Sequence, residues 1–215
     1  MLAYTILAGL FFPIPNVDIV DESVRNLFFH VPMWFGMTLM LLLGFVNAIA
    51  YLVTSKMVYD IRSKTFTQTA LIFGMLGLVT GSLWALITWG HLWTNDPKLN
   101  GTAIGMLLYM AYFVLRNSLE EDIKRATVSS VYNILIFPIF FSLIYVLPRL
   151  FESLHPGNGG NPGFNIYDQA KHLRLVFYPA VIGWFLLGFW ISNQLIRVKK
   201  IENELIEQEI IDINE

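Results

Sequence analysis

The chain has 215 residues, of which 55% are hydrophobic and only 14% charged, with a formal net charge of −2. A soluble domain of this size carries nearer a quarter charged residues, so the composition excludes one, and the slight acidity argues against a nucleic-acid partner. Cysteine is absent, which removes disulfides, thiolate nucleophiles and thiolate metal or haem ligands.

The placement of charge says more than its average. No Asp, Glu, Lys or Arg occurs in 26–55, 65–95, 99–115, 126–148 or 175–196. Each run approaches or exceeds the roughly 20 residues a helix needs to cross a hydrocarbon core of about 30 Å. The expected fold is all-α: a polytopic membrane bundle of six transmembrane helices, the first of them truncated. Neither a cleavable signal peptide nor an internal repeat is expected.

Taken in order, residues 1–12 are apolar but stop at Pro13 and Pro15, about 18 Å of helix and short of a full crossing. They read as the second half of a helix whose start lies upstream, or as a shallow insertion. Residues 16–25 form a polar connector. His30-Val31-Pro32 opens the second helix, because proline is tolerated in a first turn, and this helix runs to about Thr54. A short basic loop with Lys56, Asp60, Arg62 and Lys64 follows. The third helix covers 65–84 or a turn more, with Gly77 and Gly81 spaced for close helix contact.

Residues 84–101 then gather Trp84, Trp89 and Trp93, half of the chain's six tryptophans. They end on Asn95-Asp96-Pro97, read as a turn that starts a loop. A fourth helix covers 102–115, a mixed-charge loop 116–125, and a fifth helix 126–147 with Pro138 as its kink. Residues 149–172 are the longest connector and include the glycine- and asparagine-rich 155–163. The sixth helix covers 173–196. The organisation is thus a transmembrane domain at 1–196 and a cytoplasmic amphipathic tail at 197–215.

Lys and Arg counts orient the bundle. Nine (Lys56, Arg62, Lys64, Arg116, Lys124, Arg125, Arg197, Lys199 and Lys200) lie on the side of the tail, and five (Arg25, Lys98, Arg149, Lys171 and Arg174) on the other. The positive-inside rule puts both termini in the cytoplasm. His30, His91, His155, His172 and the tryptophans then share the outer side.

Neutral imidazole is a good axial ligand for haem iron. A porphyrin also needs aromatic contact along its plane and cations such as Lys98, Arg149 or Arg174 at its propionates. The residues alone leave two readings open: interfacial anchors, or a haem shelf. Three function classes compete on them: a haem carrier, an electron-transfer subunit of the b-type cytochrome kind, and a small-molecule permease. The last lacks charged coupling residues in its spans, and the second normally buries its histidines deep within facing helices.

The stretch W-G-H-L-W-T-N-D-P-K-L resembles the tryptophan-rich "WWD" signature, W-G-x-W-W-x-W-D-A-R-L, of the CcmC, CcmF and CcsA haem-handling family of cytochrome c maturation. Trp89, Gly90, Trp93, Asp96 and Leu99 match, Lys98 replaces Arg, and Leu92 and Asn95 stand where the family has Trp. L-V-T-G-S-L-W at 78–84 is similar to the segment preceding that signature. L-F-F-H-V-P-M at 27–33 and S-L-H-P-G at 153–157 resemble the family's two ligand motifs, with His30 and His155 as the ligands. Chain length fits the CcmC branch.

The resemblance implies a non-enzymatic protein of the bacterial inner membrane. It would hold haem b, transiently and without a covalent bond, on the periplasmic face. His30 and His155 would be the axial ligands, with Trp84, Trp89, Gly90, Trp93, Asp96 and Lys98 around the porphyrin. Delivery to the chaperone CcmE and partnership with CcmA, CcmB and CcmD are implied too. Asp96 equally reads as a cap for its loop, and His91 and His172 as structural.

Overall fold

The computed structural model describes residues 1–14, 21–155 and 171–214. The described residues are helical, without strands, in the order α1 (Leu2–Phe11), a 3-10 turn (Asp21–Asn26), α2 (Leu27–Thr54), α3 (Met57–Trp89), α4 (Pro97–Asn117), α5 (Asp122–Phe141), a π turn (Ser142–Val146), α6 (Leu147–Leu150) and α7 (Lys171–Asn214). Five of the helical stretches are long and apolar enough to cross a membrane, and α1 is a shorter apolar helix. The all-α membrane bundle expected from the charge-free runs is the fold found.

α2 is the hub, packing along α3, α5 and α7. The core it shares with α3, α4 and α5 is filled by Met37, Met40, Leu41, Phe73, Met106, Tyr109, Tyr112 and Phe140, all buried. A second cluster of Ala8, Phe28, Val176 and Phe177 ties α1 and the start of α2 to α7. Within the bilayer the helices also need polar ties. Asn133 of α5 donates to Ser63 Oγ and Thr67 Oγ1 of α3, both at 3.1 Å. Ser63 Oγ in turn donates to the Gly44 carbonyl of α2 at 2.8 Å. Such interhelical bonds hold bundles together where lipid supplies no hydrophobic drive.

Several boundaries differ from the sequence expectation, each for a physical reason. The loop between α2 and α3 is only Ser55 and Lys56, so Asp60, Arg62 and Lys64 lie on α3 rather than in a basic loop. Arg116 likewise belongs to α4. The two charges sit inside helices because they neutralise one another: Arg116 donates to both Asp60 oxygens, at 2.7 and 2.5 Å, and both residues are buried. Bidentate pairing of this kind satisfies planar groups that lipid would otherwise strand.

Asp96-Pro97 opens a helix rather than a loop. Asp96 accepts from the Lys98 and Leu99 amides at 2.9 and 3.2 Å, and Pro97 occupies the first helical position, where its missing N–H is no loss. α2 starts at Leu27, so His30 is in its first turn and Pro32 in its second. α5 carries Pro138 inside it, and beyond α5 the helix continues as the π turn that precedes Pro148. Pro148 has no N–H to return to Ile144, which leaves the ladder free to widen there.

The last helix and the tail are one: α7 runs from Lys171 to Asn214 with no break at 196. Most of the glycine-rich segment, 156–163, and part of the 16–25 connector lie outside the described residues.

Candidate functional site at one end of the bundle

His30 projects from the first turn of α2 onto α3. Its ring is flanked edge-on by Trp34 (centroids 6.2 Å apart) and Trp84 (5.9 Å). Gly81 provides the seat: a Cβ there would stand 2.6 Å from His30 Cε1, inside any tolerable contact. Gly77 does the same for the Trp34 indole, at 2.8 Å. The two glycines thus admit aromatic side chains of α2 instead of merely drawing two backbones together.

His30 Nδ1 lies 3.0 Å from Thr80 Oγ1. The Thr80 hydroxyl has one proton, which it gives to the Leu76 carbonyl at 2.9 Å, with Gly77 O as a second acceptor at 3.2 Å. With that proton on a helix carbonyl, Thr80 accepts from His30 Nδ1, the tautomer that leaves the lone pair on Nε2.

His155 is held in the same tautomer by a different group. Its Nδ1 donates to Asp96 Oδ1 at 3.0 Å. The other oxygen of Asp96 accepts from Ser153 Oγ and the Leu154 amide, both at 2.7 Å. One buried carboxylate thus caps α4 and clamps the segment after α6. Burial pushes the Asp96 pKa up, but the bonds from His155, Ser153 and Leu154 outweigh it and hold the carboxyl well below the usual carboxylate range. Burial lowers His155 below the ordinary histidine value despite the Asp96 bond, and the nearby Lys98 charge acts in the same direction. His155 is therefore a neutral imidazole near pH 7, the form that binds iron.

The remaining candidates surround this pair. Trp89, the last residue of α3, meets the His155 ring edge-on at 5.0 Å. Gly90 ends the helix at φ 79, a left-handed conformation that a side chain would strain, although open space surrounds it. Trp84 donates through Nε1 to Ser23 Oγ at 3.2 Å, and Trp93, half exposed, donates to Asn100 Oδ1 at 3.2 Å. Asn95, which stands where the resembled signature has tryptophan, accepts from Asn100 Nδ2 at 2.7 Å. It braces the turn instead of widening the aromatic surface.

Lys98 is close enough to act electrostatically on His30 and on His155, and His155 on His30. Arg149 of α6 acts on Lys98 in turn. The structure therefore gathers His30, His155, Trp84, Trp89 and Lys98 at one end of the bundle. His91 is exposed on the turn after Gly90, and the side chain of His172 lies outside the described residues.

Three residues around the pair carried no assigned role in the sequence reading: Trp34, Thr80 and Ser153. Thr80 and Ser153 stand inside the quoted motifs, directly before Gly81 and two residues before His155. Their position next to a candidate ligand was the available signal.

A bundle of helices long and apolar enough to cross a membrane, with two histidines, aromatic rings and a lysine gathered at one end, defines the class as an integral membrane protein. The sequence matches the family described as CcmC, Heme exporter protein C, over residues 1–213, and the chain belongs to that family. It is 26% identical to Heme exporter protein C of Paracoccus denitrificans over 181 residues, covering 82% of this chain and 72% of that protein. It is 20% identical to Heme exporter protein C of Escherichia coli K12 over 198 residues, 87% and 73% of the two chains. A shorter stretch of 85 residues is 31% identical to the cytochrome c biogenesis protein CcsA of Capsella bursa-pastoris, 39% and 26% of the two.

Proposed function

We propose that this chain is a haem carrier of cytochrome c-type biogenesis. It takes haem b as transient cargo on the outer face of a bacterial inner membrane and passes it to a CcmE-like chaperone, working with CcmA-, CcmB- and CcmD-like subunits. The observation that carries the reading is that His30 and His155, at the same end of a chain of this family, each have Nδ1 engaged by a neighbouring side chain, Thr80 and Asp96 respectively. Two neutral imidazoles supply the axial pair of a six-coordinate iron. Trp84, Trp89 and Trp93 supply apolar area along the porphyrin, Gly90 lets the chain turn beside it, and Lys98 meets a propionate.

The two ligands are held unequally, which suits a carrier. His30 is fixed within a helix, between two indoles and above Gly81. His155 lies beyond α6, outside any helix, and is tied by Asp96. Release would begin at His155, which is held through Asp96, while His30, fixed in α2, would keep the iron. Asp96 takes no part in bond making; it orients His155 and keeps its Nδ1 protonated. The nine-to-five bias of Lys and Arg supports an outward-facing site with cytoplasmic termini.

The test is transfer. Purified haem-loaded protein mixed with an apo-CcmE acceptor is expected to lose its haem absorbance to the acceptor within the incubation. Haem that stays with this chain through repeated reduction and oxidation would mark an electron-transfer subunit instead.

A further inference from the structure

In the half of the bundle away from the histidines, α3 and α4 part along one flank, although the buried Asp60–Arg116 pair still ties them. α3 packs chiefly on α2, and α4 on α5, leaving few contacts between the two. The gap is a groove of about 550 Å³ open to the flank of the bundle, lined by Lys64, Gln68, Ile72 and Met75 of α3 and by Met110 and Phe113 of α4. Its polar groups are confined to one end, where Asn117 faces the same space as Lys64 and Gln68. Along α3 the lining runs from Lys64 to Leu76, about 18 Å of helix.

That length is close to one leaflet of a hydrocarbon core about 30 Å thick. A transmembrane helix of another protein would need a groove through both leaflets. The charge at the polar end is also uncompensated. Among the described residues Lys64 has no ion pair or hydrogen bond, whereas the neighbouring Arg116 is fully engaged by Asp60. A half-buried lysine above a one-leaflet apolar slot fits an anion that carries its own hydrocarbon tail.

We propose that this groove binds an anionic phospholipid, its headgroup phosphate on Lys64 with Gln68 and Asn117 as further donors, and an acyl chain along Ile72, Met75, Met110 and Phe113. The site is independent of haem and of which face of the membrane the histidines occupy.

The whole protein, reconstituted in nanodiscs of equal phosphatidylglycerol and phosphatidylcholine and then released into mild detergent, tests this by native mass spectrometry. One tightly held lipid is expected, with phosphatidylglycerol favoured about fivefold, the effect of one lysine at a membrane surface. Lys64→Gln should erase the preference. Met75→Trp, at an exposed position that tolerates bulk, should fill the slot and release both lipids. A wild-type protein without preference, or a Lys64→Gln protein that keeps it, would overturn the proposal. So would a photo-reactive phenylalanine analogue at Met75 that cross-links to a protein helix in native membranes; lipid adducts are the supporting outcome.

Discussion

Asp96→Ala is expected to weaken haem binding by about 10- to 100-fold, the usual effect of removing the group that orients a ligating histidine. Asp96 is buried and accepts five hydrogen bonds, from the Lys98, Leu99 and Leu154 amides, Ser153 Oγ and His155 Nδ1. Alanine leaves His155 free to rotate or to take the other tautomer. It also uncaps α4, a loss of about 1 kcal/mol. Asp96→Asn retains one oxygen and should keep either the cap together with the histidine bond, which share Oδ1, or the Ser153 and Leu154 bonds to Oδ2, but not both sets. Haem titration followed by absorbance measures the effect, with thermal unfolding in detergent as the control for stability. Unchanged haem affinity in Asp96→Ala would reduce the residue to a helix cap.

The second large effect is on stability alone. Asp60→Ala would strand the Arg116 guanidinium in the bundle, and breaking one partner of a buried pair costs about 3–5 kcal/mol. Arg116→Ala should be similarly damaging. Replacing both, as Asp60→Leu with Arg116→Met, should recover most of the loss, because two apolar side chains leave no uncompensated charge. Equilibrium unfolding of the four proteins measures this. Haem bound per folded molecule should not change, since the pair lies on α3 and α4 far along the helices from Trp84 and Asp96. A double variant as unstable as either single one would mean that the pair contributes net stability.

How much of this was legible in the sequence depended on whether a residue's partner was local. The charge-free runs identified the spanning helices because lipid permits few unpaired charges, and the 84–101 stretch stood out through its tryptophans. Helix ends were misread where a distant partner hid a charge. Asp60 and Arg116 looked like loop residues until each was seen to neutralise the other across 56 positions. Asp96-Pro97 carried a legible helix start, an N-cap followed by proline, but Asn95-Asp96-Pro97 is equally a turn signature, which gave the loop reading. His30 and His155 were picked out through motif resemblance. What fixes their tautomers was not legible, because Thr80 and Asp96 act from 50 and 59 positions away.

The central claim is that His30 and His155 are the two axial ligands of one haem. Absorption spectra of the wild-type protein and of His30→Ala, His155→Ala, His91→Ala and His172→Ala, each with and without free imidazole, test it most directly. The wild-type, His91→Ala and His172→Ala proteins should give the same six-coordinate spectrum. His30→Ala and His155→Ala should give a five-coordinate spectrum or no haem, with imidazole restoring part of it by filling the vacated position. A six-coordinate spectrum in either His30→Ala or His155→Ala without imidazole would contradict the account.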